Sequence, residues 1–194
     1  MADIPDPTRS RENFVRRVPD GGALERLVCA DCGFINYENP KIVVGSVVHW
    51  DDRILMCRRA IDPRSGFWTL PAGYLELHES AIDGAKREAW EEARARIDIT
   101  GVLAVYTIRR LSQVQVIFRA RLETPEIAAG PESREVALFR WDDVPWDEIA
   151  FPSVRWALQH NREAGTDAPL VTRTNPPGEE GDHPPDGALA PQGL

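Results

Sequence analysis

The stretch from Gly73 to Ala95, GYLELHESAIDGAKREAWEEARA, constrains the fold more than any other part of the chain. Ser80 is a residue of the helix N-cap type, and Asp83 follows three positions later in the manner of a capping box. A helix from about residue 81 to about residue 96 is therefore predicted, with Ile82, Ala85, Ala89 and Ala93 as its core-facing stripe. Glu88, Glu91 and Glu92 then fall on one patch. Like charges at that spacing repel by roughly 0.2–0.5 kcal/mol per pair on an exposed helix. A chain that keeps such repulsion is expected to hold something positive there. Arg87 can brace the patch from the side, through i,i+4 pairs with Asp83 and Glu91.

Carboxylates alone make an all-oxygen donor set, which suits hard divalent cations. Mg²⁺ takes a few carboxylates and fills its other positions with water and substrate phosphates, and Mn²⁺ accepts the same ligands. The helix offers no His or Cys for a softer metal. The expected chemistry is polarisation of a phosphoryl group and activation of a water.

The remaining chain supports a soluble, cytoplasmic, mixed αβ protein. Residues 1–28 are polar and punctuated by Pro and Gly, and are expected to be loosely held, with a short knuckle at 29–40 around Cys29 and Cys32. Strand patterns run over 42–50, 54–57, 67–70, 102–108, 114–122 and 138–141, and Pro152 and Ser153 open a last helix over about 154–163. The main domain is thus expected over 41–164, and the Pro- and Gly-rich stretch 165–194 as a disordered tail. A net charge of −8 argues against a nucleic-acid binder, which needs a basic face. No apolar run is long enough to cross a membrane. Three cysteines make no disulfide framework.

Gly73, Glu79, Arg87-Glu88 and Glu91-Glu92 stand at the spacing that identifies the Nudix hydrolases, and the chain resembles that family. CGFINYENPKIVVG and RRAIDPRSGFWTLPAGYLE resemble the branch with an N-terminal zinc ribbon, which includes FAD and ADP-ribose pyrophosphatases and is related to NADH pyrophosphatases. The resemblance covers about 29–160. It implies an α+β fold, an α/β/α sandwich on a mixed β-sheet, and a homodimer. It also implies hydrolysis of a small-molecule nucleotide, a nucleoside diphosphate linked to another group. Carried over by motif position, Glu88 and Glu92 would be metal ligands and Glu91 a ligand or a base acting through water. The carbonyl at Gly73, or at Ala72 beside it, would complete the site. Glu79 would be oriented by Arg87, and a further acid would come from a later loop, either Glu132 or Glu135. Sanitising of nucleoside triphosphates and a non-catalytic nucleotide-sensing module are the alternatives, since the motif does not name the leaving group.

Two departures stand out. Where the family's motif has Gly and an aliphatic residue after the acids, this chain has Arg94 and Ala95, so the helix end is expected to differ. A structural zinc site needs four ligands, and no Cys or His precedes Cys29 and Cys32, which argues against zinc. Around the site, Arg58 and Arg59 could contact substrate phosphates, although strand alternation sends at least one of them elsewhere. Trp68 and Tyr74 could stack on a base or a flavin.

Overall fold

The computed structural model describes residues 13–165 and 171–181. Residues 1–12, 166–170 and 182–194, which carry the rest of the expected N-terminal segment and tail, lie outside the described residues.

Two compact units follow one another, dividing after Asn39. In the first, β1 (Phe14–Arg17), β2 (Arg26–Cys29) and β3 (Ile35–Asn36) form an antiparallel sheet in the order β1-β2-β3. Residues 14–28, expected to be loosely held, are therefore structured. Alternation explains it: Val28 is buried opposite Val15, and the Phe14 ring meets Phe34 edge-to-face at 6.4 Å. Arg26 lies over the Tyr37 ring, 4.8 Å from its centroid. The Cys29–Gly33 turn is closed by the Gly33 N–H donating to the Cys29 carbonyl at 3.0 Å.

The second unit holds a seven-stranded mixed sheet. Its continuous order is β10 (Ser133–Arg140), β5 (Arg53–Arg59), β4 (Lys41–Trp50), β9 (Gln113–Leu122) and β8 (Ile97–Ile108). The short β6 (Trp68–Thr69) pairs with β5, and β7 (Ala72–Tyr74) pairs with β4. Only β4 and β9 run parallel within this sheet; the other pairs are antiparallel. Helix α1 (Ala81–Ala93) packs Ala85, Ala89 and Ala93 on β4, β5 and β9 residues such as Val44, Leu55 and Phe118. Helix α2 (Pro152–Ala164) contributes Val154, Trp156, Ala157 and Leu158 to a separate apolar cluster with Val47, Met56 and Tyr106. Two helices on two clusters of one mixed sheet give the expected α/β/α sandwich.

Helix α1 starts as expected: the Ser80 hydroxyl accepts from the Asp83 N–H at 3.1 Å. It ends three residues early. Arg94 takes φ 52 and ψ 24, the left-handed conformation, and strand β8 begins at once at Ile97. The αL turn that glycine would supply is made by an arginine instead. Ile82, expected in the stripe, is 45% exposed. The alanines alone carry the contact, and their small size lets the helix sit close enough to sink neighbouring side chains.

The tail also departs from expectation within 171–181. The Val105 N–H donates to the Arg173 carbonyl at 2.9 Å, and the Arg173 N–H donates to Leu103 at 2.9 Å. The Asn175 amide exchanges bonds with both the N–H and the carbonyl of Thr107. This segment adds itself to β8, an edge strand whose unpaired backbone groups accept such an addition. No helix among the described residues is long and apolar enough to cross a membrane.

Candidate active site

The alanine stripe determines where the acids go. Glu88 and Glu92 adjoin it, so they are drawn down toward the sheet, to 9% and 5% exposure. Glu91, one position around, stays exposed. Below them, β7 passes close under the helix. A Cβ at Gly73 would overlap the Glu88 carboxylate, so glycine is what lets Glu88 lie there. The Ala72 N–H donates to Glu92 Oε2 at 3.2 Å.

Arg87 joins the acids into one network. It holds Glu79 with two bonds, Nε to Oε2 at 3.1 Å and Nη2 to Oε1 at 2.8 Å. Its Nη1 donates to Glu88 at 2.7 Å and to Glu91 at 3.0 Å, and Nη2 also reaches the Tyr74 carbonyl at 2.9 Å. The expected Asp83–Arg87 pair gives way to an Asp83–Ser80 bond at 2.6 Å.

The electrostatics separate Glu79, Glu88 and Glu92. Glu79 is held below the usual carboxylate range, first by the Arg87 bonds and then by the Glu76 N–H. Glu88 is pushed up by burial, against the pull of Arg87. Glu92 is pushed up to about 8, mainly by burial, with only the Ala72 N–H and Arg59 pulling the other way. A buried carboxylate so poorly compensated is a group that gains from a cation.

A second loop completes the surroundings. The Ala128 N–H donates to the Ala93 carbonyl at 2.9 Å and the Gly130 N–H to the Glu92 carbonyl at 3.0 Å, which caps the end of α1. A side chain at Gly130 would overlap the Glu91 carbonyl, so only glycine allows this approach. Glu132 follows directly. It lines a cavity of about 980 Å³ together with Glu88, Glu91, Glu92, Arg59 and Tyr74. Glu135 does not join them: it sits in β10, and Arg58 Nη1 meets it at 3.5 Å.

Other expected contacts divide by strand parity. Arg59 faces the cavity, braced by a 2.8 Å bond from Nε to the Pro63 carbonyl. Arg58 points away, to Gly66, Glu135 and Glu148. Trp68 is no stacking platform, because it is buried against Phe139, ring centroids 4.9 Å apart. Tyr74 is 51% exposed and lines the cavity. Sequence analysis missed the Ala128–Gly130 docking, for which Gly130 before Pro131 was the available signal. It also missed Phe151, Gln113 and Gln115 on the cavity wall.

The donor set is all oxygen and fits Mg²⁺ or Mn²⁺. Among the described residues no three acid, His or Cys side chains converge on one point, since Arg87 Nη1 draws Glu88 and Glu91 to itself.

Comparison with known proteins matches residues 39–157 to the NUDIX domain. The chain belongs to the Nudix hydrolase family. Residues 12–38 match the Nudix N-terminal family, a zinc ribbon. A Nudix hydrolase from Nitrosomonas europaea superimposes with a TM-score of 0.77 at 40% identity, covering 84% of this chain and 93% of that one. A MutT-like protein of Streptomyces ambofaciens is 35% identical over 53% of this chain and 64% of its own length. The ADP-ribose pyrophosphatase of Methanocaldococcus jannaschii is 26% identical over 59% of this chain and 69% of its own. The chain thus spans just under two thirds of the Streptomyces relative.

Proposed function

We propose that this Nudix protein hydrolyses the pyrophosphate bond of a nucleoside diphosphate derivative such as ADP-ribose or FAD, with Mg²⁺ or Mn²⁺. The observation that carries this reading is the pair of buried carboxylates, Glu88 and Glu92, opposite Arg59 in a cavity of about 980 Å³. That volume is at the upper end of small-molecule sites and suits a dinucleotide.

Glu88, Glu91 and Glu92 would hold the cations, with Glu132 as the added loop acid in preference to Glu135. Bound divalent ions neutralise diphosphate charge and lower the pKa of a water. Arg59 would meet the phosphates as a fixed cation on the facing strand. Arg87 would act by positioning, holding Glu79 at two points and steadying Glu88. Glu91, once released from Arg87, or Glu132 would take the proton from the attacking water. Water adds across the P–O–P bridge, so ADP-ribose gives AMP and ribose 5-phosphate, and FAD gives AMP and FMN.

Nucleoside triphosphate sanitising is the second reading, favoured by the Streptomyces MutT-like relative. A sensing module without catalysis would be expected to lose an acid, whereas Glu79, Glu88, Glu91 and Glu92 are all present. For the N-terminal ribbon we infer a fold without zinc, since Cys29 and Cys32 supply two of four ligands. A panel of ADP-ribose, FAD, NADH and oxidised dGTP, with Mg²⁺ or Mn²⁺, separates the readings by monophosphate release. The first two should turn over fastest. Release only from the triphosphate would replace this proposal with the second reading.

A further inference from the structure

We propose that Gln113 and Gln115, with the ring of Tyr74, form the wall of the cavity that reads the substrate's base, and that this wall favours a base with an exocyclic amine. The inference rests on the hydrolase reading and adds the half of the substrate that ADP-ribose and FAD share.

Strand register brings the wall together. In the parallel β4–β9 pair, Lys41 lies opposite Gln113 and Val43 opposite Gln115, and Tyr74 of β7 lies opposite Val43. Residues two apart on a strand share a face, so both amides project on the side that carries Ile117. All of these residues line the cavity except Lys41. Gln115 Nε2 donates to Gln113 Oε1 at 3.4 Å, and Gln113 Nε2 donates to the Tyr74 hydroxyl oxygen at 3.1 Å.

The chemistry of this wall is not that of a phosphate site. It is made of neutral amides and a phenol beside Val43 and Ile117, and a half-buried neutral donor–acceptor row suits a neutral planar ring. The chain of bonds has a direction. Each Nε2 spends one of its two N–H groups along the row, which leaves Gln115 with Oε1 as an open acceptor beside one open N–H, the pair that meets an exocyclic amine and the adjacent ring nitrogen of adenine. Tyr74 offers a stacking surface: its ring is half exposed, with Lys41 Nζ 5.3 Å from the centroid. The Tyr74 carbonyl accepts from Arg87 Nη2 at 2.9 Å, so one residue ties the base wall to the acid network.

AMP and IMP differ at the C6 substituent and N1 protonation, which makes them the test pair. Calorimetric binding of each to the full-length protein with Mg²⁺ should favour AMP by roughly five- to a hundredfold. Gln115→Met should bring the ratio close to one, chiefly by weakening AMP. With ADP-ribose and its hypoxanthine counterpart, the variant should show a raised KM for the adenine substrate and little change in kcat. An unchanged circular dichroism spectrum and Mg²⁺-dependent thermal shift would show that the variant folds with its acid cluster intact. Gln113→Met, which removes the row's middle member, serves if Gln115→Met does not fold. Equal binding of AMP and IMP by the wild type, or a wild-type ratio kept in both variants, overturns the proposal. Absence of hydrolysis alongside a ratio that depends on Gln115 would sink the hydrolase reading and leave the base wall standing.

Discussion

The acid cluster of α1 and the Cys29–Cys32 turn are both regions where the family's pattern puts metal ligands, and they have fared differently. In the cluster the four acids of the proposed donor set, Glu79, Glu88, Glu91 and Glu92, are all present, and the surrounding fold makes room for them. Gly73 makes room for Glu88, Gly130 brings the Glu132 loop onto the helix end, and Arg87 ties Glu79 to the rest. In the turn two ligands remain, one of them exposed, and the strands around it close on Val28 and the Phe14–Phe34 pair instead. On the zinc-free reading proposed above, apolar contacts hold this ribbon. On the proposed reading, the cluster tolerates the electrostatic cost of buried acids for the sake of chemistry.

That contrast can be broken at its strongest point first. Glu92→Gln should lower kcat on the order of a hundred- to a thousandfold, the scale of losing one preorganised charge contact. The same change should raise the melting temperature of the metal-free protein at pH 8, because a neutral amide replaces a buried charge. Loss of stability along with activity would mean that Glu92 is structural. Gly73→Ala comes next. Its methyl would displace the Glu88 carboxylate, costing about 1–3 kcal/mol of stability and much of the turnover. Chemical denaturation and steady-state rates measure the two effects together.

Acidity gives a third test with a definite sign. The folded-state pKa of Glu92 is raised from 4.5 to about 8, so the native state binds the extra proton. Stability without metal should therefore be greatest below pH 4.5, in so far as Glu92 governs it, and fall as pH rises toward 8. Metal needs the carboxylate ionised, so the thermal shift produced by Mn²⁺ should grow over the same range. A shift that shrinks with rising pH would contradict the assignment.

Smaller effects are expected at the margins. Arg94→Gly should stabilise the protein by about 1 kcal/mol, since glycine meets no steric penalty at φ 52. Replacing Cys29 and Cys32 together by Ser should change stability by no more than about 0.5 kcal/mol, with or without a chelator. Unfolding by the chelator would show that the turn holds a metal after all.

What could be read from the residues was local. The Ser80 cap, the alanine stripe and the spacing of the four glutamates all act within a few positions of one another. What could not be read depended on partners distant in sequence. Arg58 and Arg59 are equivalent in a strand pattern until the register with β10 shows which one meets Glu135. Glu132 and Glu135 looked alike in a loop, yet Ser133 to Val136 belongs to a polar edge strand, where pairing with β5 outweighs weak propensity. Trp68 sits beside the motif in sequence but is consumed by the core. The 171–181 segment carries too few apolar residues to announce order, and is held by backbone bonds to β8.

The most direct test of the account is a Mn²⁺ titration followed by electron paramagnetic resonance, comparing wild type, Glu92→Gln and the Cys29→Ser/Cys32→Ser double variant. The wild type and the cysteine variant should bind the ion equally, and Glu92→Gln should bind it much more weakly. Equal binding by wild type and Glu92→Gln would contradict the claim that the buried acids of α1 are the metal site.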